Sequence, residues 1–154
     1  MMSWIIVIMG LLIIIESVLI LRLRYKKIGK NSIPFNSDYQ VNMIYIQCVC
    51  VDKKLRFMID TGCSNSVIKE ESLNGLPHKK YRRKLEQYGL MGNTFTGKLR
   101  GMKIEIAKHP FELYCWAVGD ETNIPIGFDG LLGSDFFNKY GWCIDYKNKC
   151  IIIK

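Results

Sequence analysis

RFMIDTGCSNSVI, residues 56 to 68, sets one carboxylate, Asp60, at the end of the apolar run Phe57-Met58-Ile59 and follows it with Thr61, Gly62 and a set of small polar residues. Taken alone, Asp-Thr-Gly reads as a β-turn, with the aspartate at its first position and the glycine free to take positive φ. The surroundings say more. Val41 to Val51 and Lys54 to Ile59 are rich in β-branched and aromatic residues and are joined by the turn-like DKK, so they predict a hairpin whose second strand ends on Asp60. Further strands are expected around Val67, over Lys98 to Ile106 and Phe111 to Val118, and as a final pair over Cys143 to Tyr146 and Cys150 to Ile153. A turn or two of helix fits IKEESLNGL from Ile68. One short helix is predicted over Ser134 to Tyr140, with Ser134 capping its first amides, Asp135 in the positive field of the first turn and Gly141 ending it. The domain is mainly β with one short C-terminal helix.

Toward the N-terminus the character changes. WIIVIMGLLIIIESVLIL, residues 4–21, is apolar all round except for Glu16 and Ser17, and as a helix it would measure about 27 Å, close to the hydrocarbon thickness of a bilayer. Glu16 disfavours insertion by roughly 2 to 3 kcal/mol if central, against about 0.3 to 0.6 kcal/mol gained per Leu, Ile or Val, so the aliphatics prevail. No basic residue precedes the run and no small-x-small cleavage site follows it, which argues against a removed signal peptide. The expectation is a single transmembrane helix over 4–21, a basic juxtamembrane linker over 22–37 and a soluble domain over 38–154. Arg22, Arg24, Lys26, Lys27 and Lys30 all lie just past the run. Because such charges resist translocation, the soluble domain is expected on the cytoplasmic side, with the flank on anionic lipid headgroups.

The formal net charge of +8 arises partly there and partly in KKYRR, Lys79 to Arg83, which reads as a solvated basic loop. No zinc-finger spacing, RNP sequence or helix-turn-helix accompanies it, so nucleic acid is not an expected partner. The six cysteines, Cys48, Cys50, Cys63, Cys115, Cys143 and Cys150, show no paired CxxC spacing, and no metal or organic cofactor is implied. They read as free thiols packed as small hydrophobes. Cys63 as a nucleophile would need a histidine, and neither His78 nor His109 has a local context pointing to it. Ser64 and Ser66 lack a GxSxG elbow and read as turn or strand residues.

Some seventy residues after Asp60 comes GFDGLLGSDFF, in which two apolar residues and a glycine stand directly before the expected helix. With this second element in the same order and at a comparable distance, residues 38–154 resemble the retropepsin-like aspartic peptidases. In that family a strand ends in Asp-Thr/Ser-Gly, matching Asp60, Thr61 and Gly62, and an apolar-apolar-Gly segment before a helix matches Leu131, Leu132 and Gly133. The resemblance implies a closed acid-protease barrel, with Asp60 catalytic, Thr61 and Gly62 in the active-site loop, and residues 131–133 passing beneath that loop. Gly133 would be needed where two backbones approach closely.

Two carboxylates within about 3 Å share one proton and so act as acid and base at once. Only one Asp-Thr-Gly is present; Asp129 reads as a turn residue and Asp135 as a helix-start residue. The second carboxylate must therefore come from a second copy, and the resemblance implies a homodimer. YGLMGNTFTG, Tyr88 to Gly97, is the candidate for a flap closing over a peptide substrate, with Gly89, Leu90, Met91 and Gly92 at its tip. The expected function is a membrane-anchored aspartic endopeptidase. The competing reading is the same barrel without turnover, kept as a membrane-bound interaction or dimerisation module.

Overall fold

In the computed structural model of the chain, the described residues are 13–17, 31–38, 43–88, 94–119, 122 and 124–153. Eleven strands, the α-helix Ser134–Tyr140 and a helical turn at 13–17 lie among them. The predicted hairpin is present as β3 (Met43–Cys50) and β4 (Lys53–Ile59), antiparallel from Tyr45↔Met58 to Cys50↔Lys53 and turned by Val51 at φ 57° and Asp52. Its alternation places Ile46, Cys48 and Cys50 of β3 in the core with Leu55 and Phe57 of β4, the period-2 pattern of a strand with one buried face. β5 (Val67–Lys69) follows the Asp60 loop and leads into a 3-10 turn at Glu70–Leu73.

β6 (Lys79–Tyr88) and β7 (Thr94–Ile106) form a long antiparallel hairpin, and β7 pairs with β8 (His109–Val118) from Gly97↔Val118 to Ile106↔His109. β9 (Gly130–Leu132) lies parallel to β4 and antiparallel to β5, threaded between them. A bridge at Val49↔Glu105 joins β3 to β7, so that β3, β4, β9, β5, β8 and β7 close into a ring. Inside the ring, Phe57, Ile46, Leu55, Ile68, Leu113 and Leu132 are fully buried. Burying one such side chain stabilises by roughly 1.5 to 3 kcal/mol.

The helix α1 (Ser134–Tyr140) buries Phe136 and Phe137 against Trp142, and Phe111 packs edge-on to Trp142 at 5.0 Å between ring centroids. Gly141 ends the helix at φ 62°, as its position predicts, with its N–H turned back toward the Asn138 and Phe137 carbonyls. Ser134 does not cap it. The capping position is Gly133, and the Ser134 hydroxyl donates instead to the Cys63 carbonyl at 3.2 Å.

Two sequence readings change. The end of the linker expected over 22–37 contains β1 (Ser32–Pro34) and most of β2 (Asn36–Asp38). β1 joins β10 (Cys143–Asp145) and β11 (Cys150–Ile152) in a three-stranded sheet, β2 pairs with β3, and Ile33 and Phe35 are buried. The packed body thus reaches back into the stretch read as linker, because strands of three residues are too short to show a period. KKYRR is not a loop but the first half of β6, held by backbone pairing to β7 with a register break between Lys80 and Lys84. An edge strand with polar residues on both sides carries no apolar alternation to reveal it.

All six cysteines are thiols, four of them buried: Cys48, Cys50, Cys115 and Cys150. Burial pushes the Cys48 thiol up to about 12 and raises Cys115 as well, so these sulfurs are packing groups rather than nucleophiles. Residues 13–17 form a helical turn, and among the described residues no helix is long and apolar enough to cross a membrane. Most of the 4–21 segment lies outside the described residues.

Candidate active site

Asp60 stands one residue past β4, half-buried, with its N–H donating to the Leu132 carbonyl at 3.0 Å. The chain then turns sharply. The Cys63 N–H donates to the Asp60 carbonyl at 3.1 Å, and the Gly62 N–H donates to Asp60 Oδ1 at 3.0 Å. A main-chain amide two residues on therefore orients the carboxylate, in the manner of an Asx turn. A side chain at Gly62 would meet that oxygen at 3.2 Å. Thr61 and Gly62 are exposed at the tip of the loop.

Beneath the loop run Leu131, Leu132 and Gly133. A Cβ on Gly133 would lie 2.6 Å from the Asn65 carbonyl carbon and 2.7 Å from the Cys63 oxygen, which is the close approach of two backbones expected there. The Ser134 N–H donates to the Cys63 carbonyl at 2.8 Å, tying the start of α1 to the loop. Sequence reasoning passed over the residue that completes this seat. Ser66 is fully buried; its hydroxyl accepts the Gly133 N–H at 3.0 Å and donates to Asp135 Oδ1 at 2.7 Å. Asp135 Oδ1 also accepts the Phe136 N–H at 2.8 Å, so the expected helix-start residue is at once the far anchor of the Asp60 loop.

Asp129 does more than turn the chain. Its Oδ2 accepts the Arg56 N–H at 2.8 Å and its Oδ1 the Ser72 hydroxyl at 2.7 Å, joining β4 to the 3-10 turn. Asp129 and Asp135 are thus both engaged in the framework, whereas Asp60 is half-buried at the loop.

Beside it lies a second apolar cluster of Met58, Val67, Val118, Ile124 and Phe128, with Tyr45, Trp116 and Leu131 packed against it. The Arg56 guanidinium sits over the rings of Tyr45 and Phe128 at 4.4 and 4.9 Å, and Ile126 projects into solvent at 99% exposure. Of the proposed flap, Gly89, Leu90, Met91 and Gly92 lie outside the described residues; the hairpin that carries them is paired down to Tyr88↔Thr94.

No protein-family model matches the chain, and no curated protein matches it. Solved structures do. The retroviral protease-like domain of Ddi1 from Leishmania major aligns with a TM-score of 0.52 at 16% identity, over 73% of this chain and 88% of that one. EIAV protease, solved in complex with the inhibitor HBY-793, aligns at 0.53 and 18% over 69% and 95%. A retropepsin-like aspartic protease from Rickettsia conorii aligns at 0.50 and 19% over 81% and 90%. The likeness is one of fold: a ring of six strands, with β9 set between β4 and β5 beneath the Asp60 loop, has the retropepsin-like architecture of these aspartic protease domains.

Proposed function

We propose that this chain is an aspartic endopeptidase that works as a homodimer, with Asp60 facing its counterpart in a second copy. The observation that carries the reading is the seat of Asp60: a half-exposed carboxylate, oriented by the Gly62 amide and stapled from below through Leu132, Gly133 and Ser66. A paired carboxylate, ionised, takes a proton from a bound water, whose oxygen attacks the peptide carbonyl carbon. Its protonated twin gives its proton to the carbonyl oxygen. Collapse of the tetrahedral species breaks the C–N bond as the first carboxyl gives the proton it took to the leaving amine, and the twin recovers a proton from the gem-diol hydroxyl. Thr61 at the loop tip meets the second loop across the axis, and Gly62 lets the two approach. An extended peptide lies over the apolar cluster of Met58, Val67, Val118, Ile124 and Phe128 and beside the exposed Ile126, covered by the flap tip at 89–92.

Residues 4–21 are proposed to anchor the chain in a membrane, with the basic flank on anionic lipid and the protease body, from Ser32 onward, on the cytoplasmic side. Confinement to one surface raises the effective concentration of copies and favours pairing. Protease protection in sealed vesicles tests the sidedness.

Asp60→Asn keeps the shape and removes the acid–base pair. Its expected effect is a loss of peptide-library cleavage by at least about a thousandfold, with an unchanged thermal midpoint. Cleavage that survives in a folded variant would remove Asp60 from the chemistry; no cleavage by the folded parent protein would leave the same barrel as an interaction module.

A further inference from the structure

A cleft of about 650 Å³ lies over the β6–β7–β8 sheet, lined also by Val51, Pro77 and His78. No residue of the Asp60 loop or of β9 lines it. Its floor is made by Tyr81 and Tyr114, rings 6.0 Å apart, lying over Gly101. A Cβ there would stand 3.1 Å from one ring and 3.2 Å from the other, so the absence of a side chain is what admits both phenols. The register break in β6 between Lys80 and Lys84 brackets Tyr81, and such irregularities re-aim a side chain. Met102, on the opposite face of β7, belongs to the core behind this floor.

Cations surround this floor. Lys79 Nζ lies 5.2 Å from the Tyr81 ring centroid, Lys139 Nζ lies 4.5 Å from that of Tyr114, and Lys103 lines the wall. One carboxylate, Glu112, stands among them, 3.8 Å from Lys139. We infer that this cleft is a second peptide-binding site, separate from the Asp60 groove, which takes an acidic segment of a protein partner with apolar or aromatic side chains between its carboxylates. Volume and lining are those of a recognition pocket: an apolar, aromatic base with a few placed polar groups. Two lining ammonium groups, Lys79 and Lys103, stand against one carboxylate that is already paired with Lys139 outside the lining, a balance that selects an acidic ligand. Glu112 disfavours a polyanion such as nucleic acid along the whole cleft, while it can accept the N–H groups that a peptide brings. Beside the cleft β6 is the end strand of its sheet, which allows an extended segment to add its own backbone hydrogen bonds.

The site does not depend on the peptidase reading, and a direct binding measurement keeps the two apart. The probe is a fluorescein-labelled peptide, Glu-Tyr-Glu-Leu-Glu, titrated with the full chain and followed by anisotropy, beside the same peptide with Lys in place of Glu. The acidic peptide is expected to bind, more weakly as salt rises. Tyr114→Ala and Lys103→Glu should each weaken it at least about tenfold, and Asp60→Asn should leave it unchanged. The inference is overturned if both cleft variants, folded by thermal melt, bind like the parent, or if the lysine peptide binds as tightly. It is also overturned if inorganic phosphate or phosphatidylserine vesicles displace the peptide completely, since the cleft would then be an anion or lipid site.

Discussion

Gly133 shows at the residue scale how little freedom the Asp60 loop has. Adding one methyl there sets carbon against the Asn65 and Cys63 backbone at 2.6 to 2.7 Å, and neither neighbour is a side chain that can rotate away. Gly133→Ala is therefore expected to cost about 3 kcal/mol, the upper range for overpacking, read as a lower denaturant midpoint at constant m-value. Asp60, Thr61, Gly62 and Gly133 were all legible in the sequence, because a strand ending in Asp-Thr-Gly and an apolar-apolar-Gly before a helix are local patterns. Ser66 and the second role of Asp129 were not. Their partners lie far along the chain, Asp135 at 69 residues from Ser66 and Arg56 at 73 from Asp129, and a polar residue inside SNSVI gives no sign of which distant group it meets.

The element that organises the site is β9, held between β4 and β5 and fastened to both sides of the loop above it. Ser66 is the rivet: replacing it by Ala leaves the Gly133 N–H without a partner in a buried place and removes one bond from Asp135. The expected loss is about 1 to 3 kcal/mol, with faster hydrogen exchange at the Gly133 amide, checked by native-state exchange; protection equal to the parent's would show that the hydroxyl is not what holds β9 in place. Among the elements, the β3–β4 hairpin and α1 could be foreseen, the first from β-branched enrichment and the second from Asp135 and Gly141. β6 could not, since Lys79 to Lys84 are nearly all cationic and the strand is defined by its backbone pairing with β7.

Over the whole molecule, closure comes from the chain's two ends as much as from the ring. β1 lies on β11, the Phe35 N–H donates to the Lys149 carbonyl at 3.3 Å, and the Ile153 N–H donates to the Asn31 carbonyl at 2.8 Å. A chain begun at Asp38, where the sequence places the domain boundary, discards Ile33 and Phe35, both buried. At roughly 1.5 to 3 kcal/mol for each side chain, it should be less stable than one begun at Asn31 by about 3 to 6 kcal/mol, measured by urea unfolding; equal midpoints would show that β1 adds nothing. That boundary was misread because Ile33 and Phe35 sit singly among polar neighbours, and only the far terminus gives them something to pack on. The threading of β9 has a temporal side too. Synthesis delivers Asp60 long before residues 130–135, so on the ribosome its carboxylate hangs from an unfinished bend. Only once residues 130–135 have emerged does that bend gain its underlay, the Leu132 carbonyl and the Gly133 amide that hold it from below.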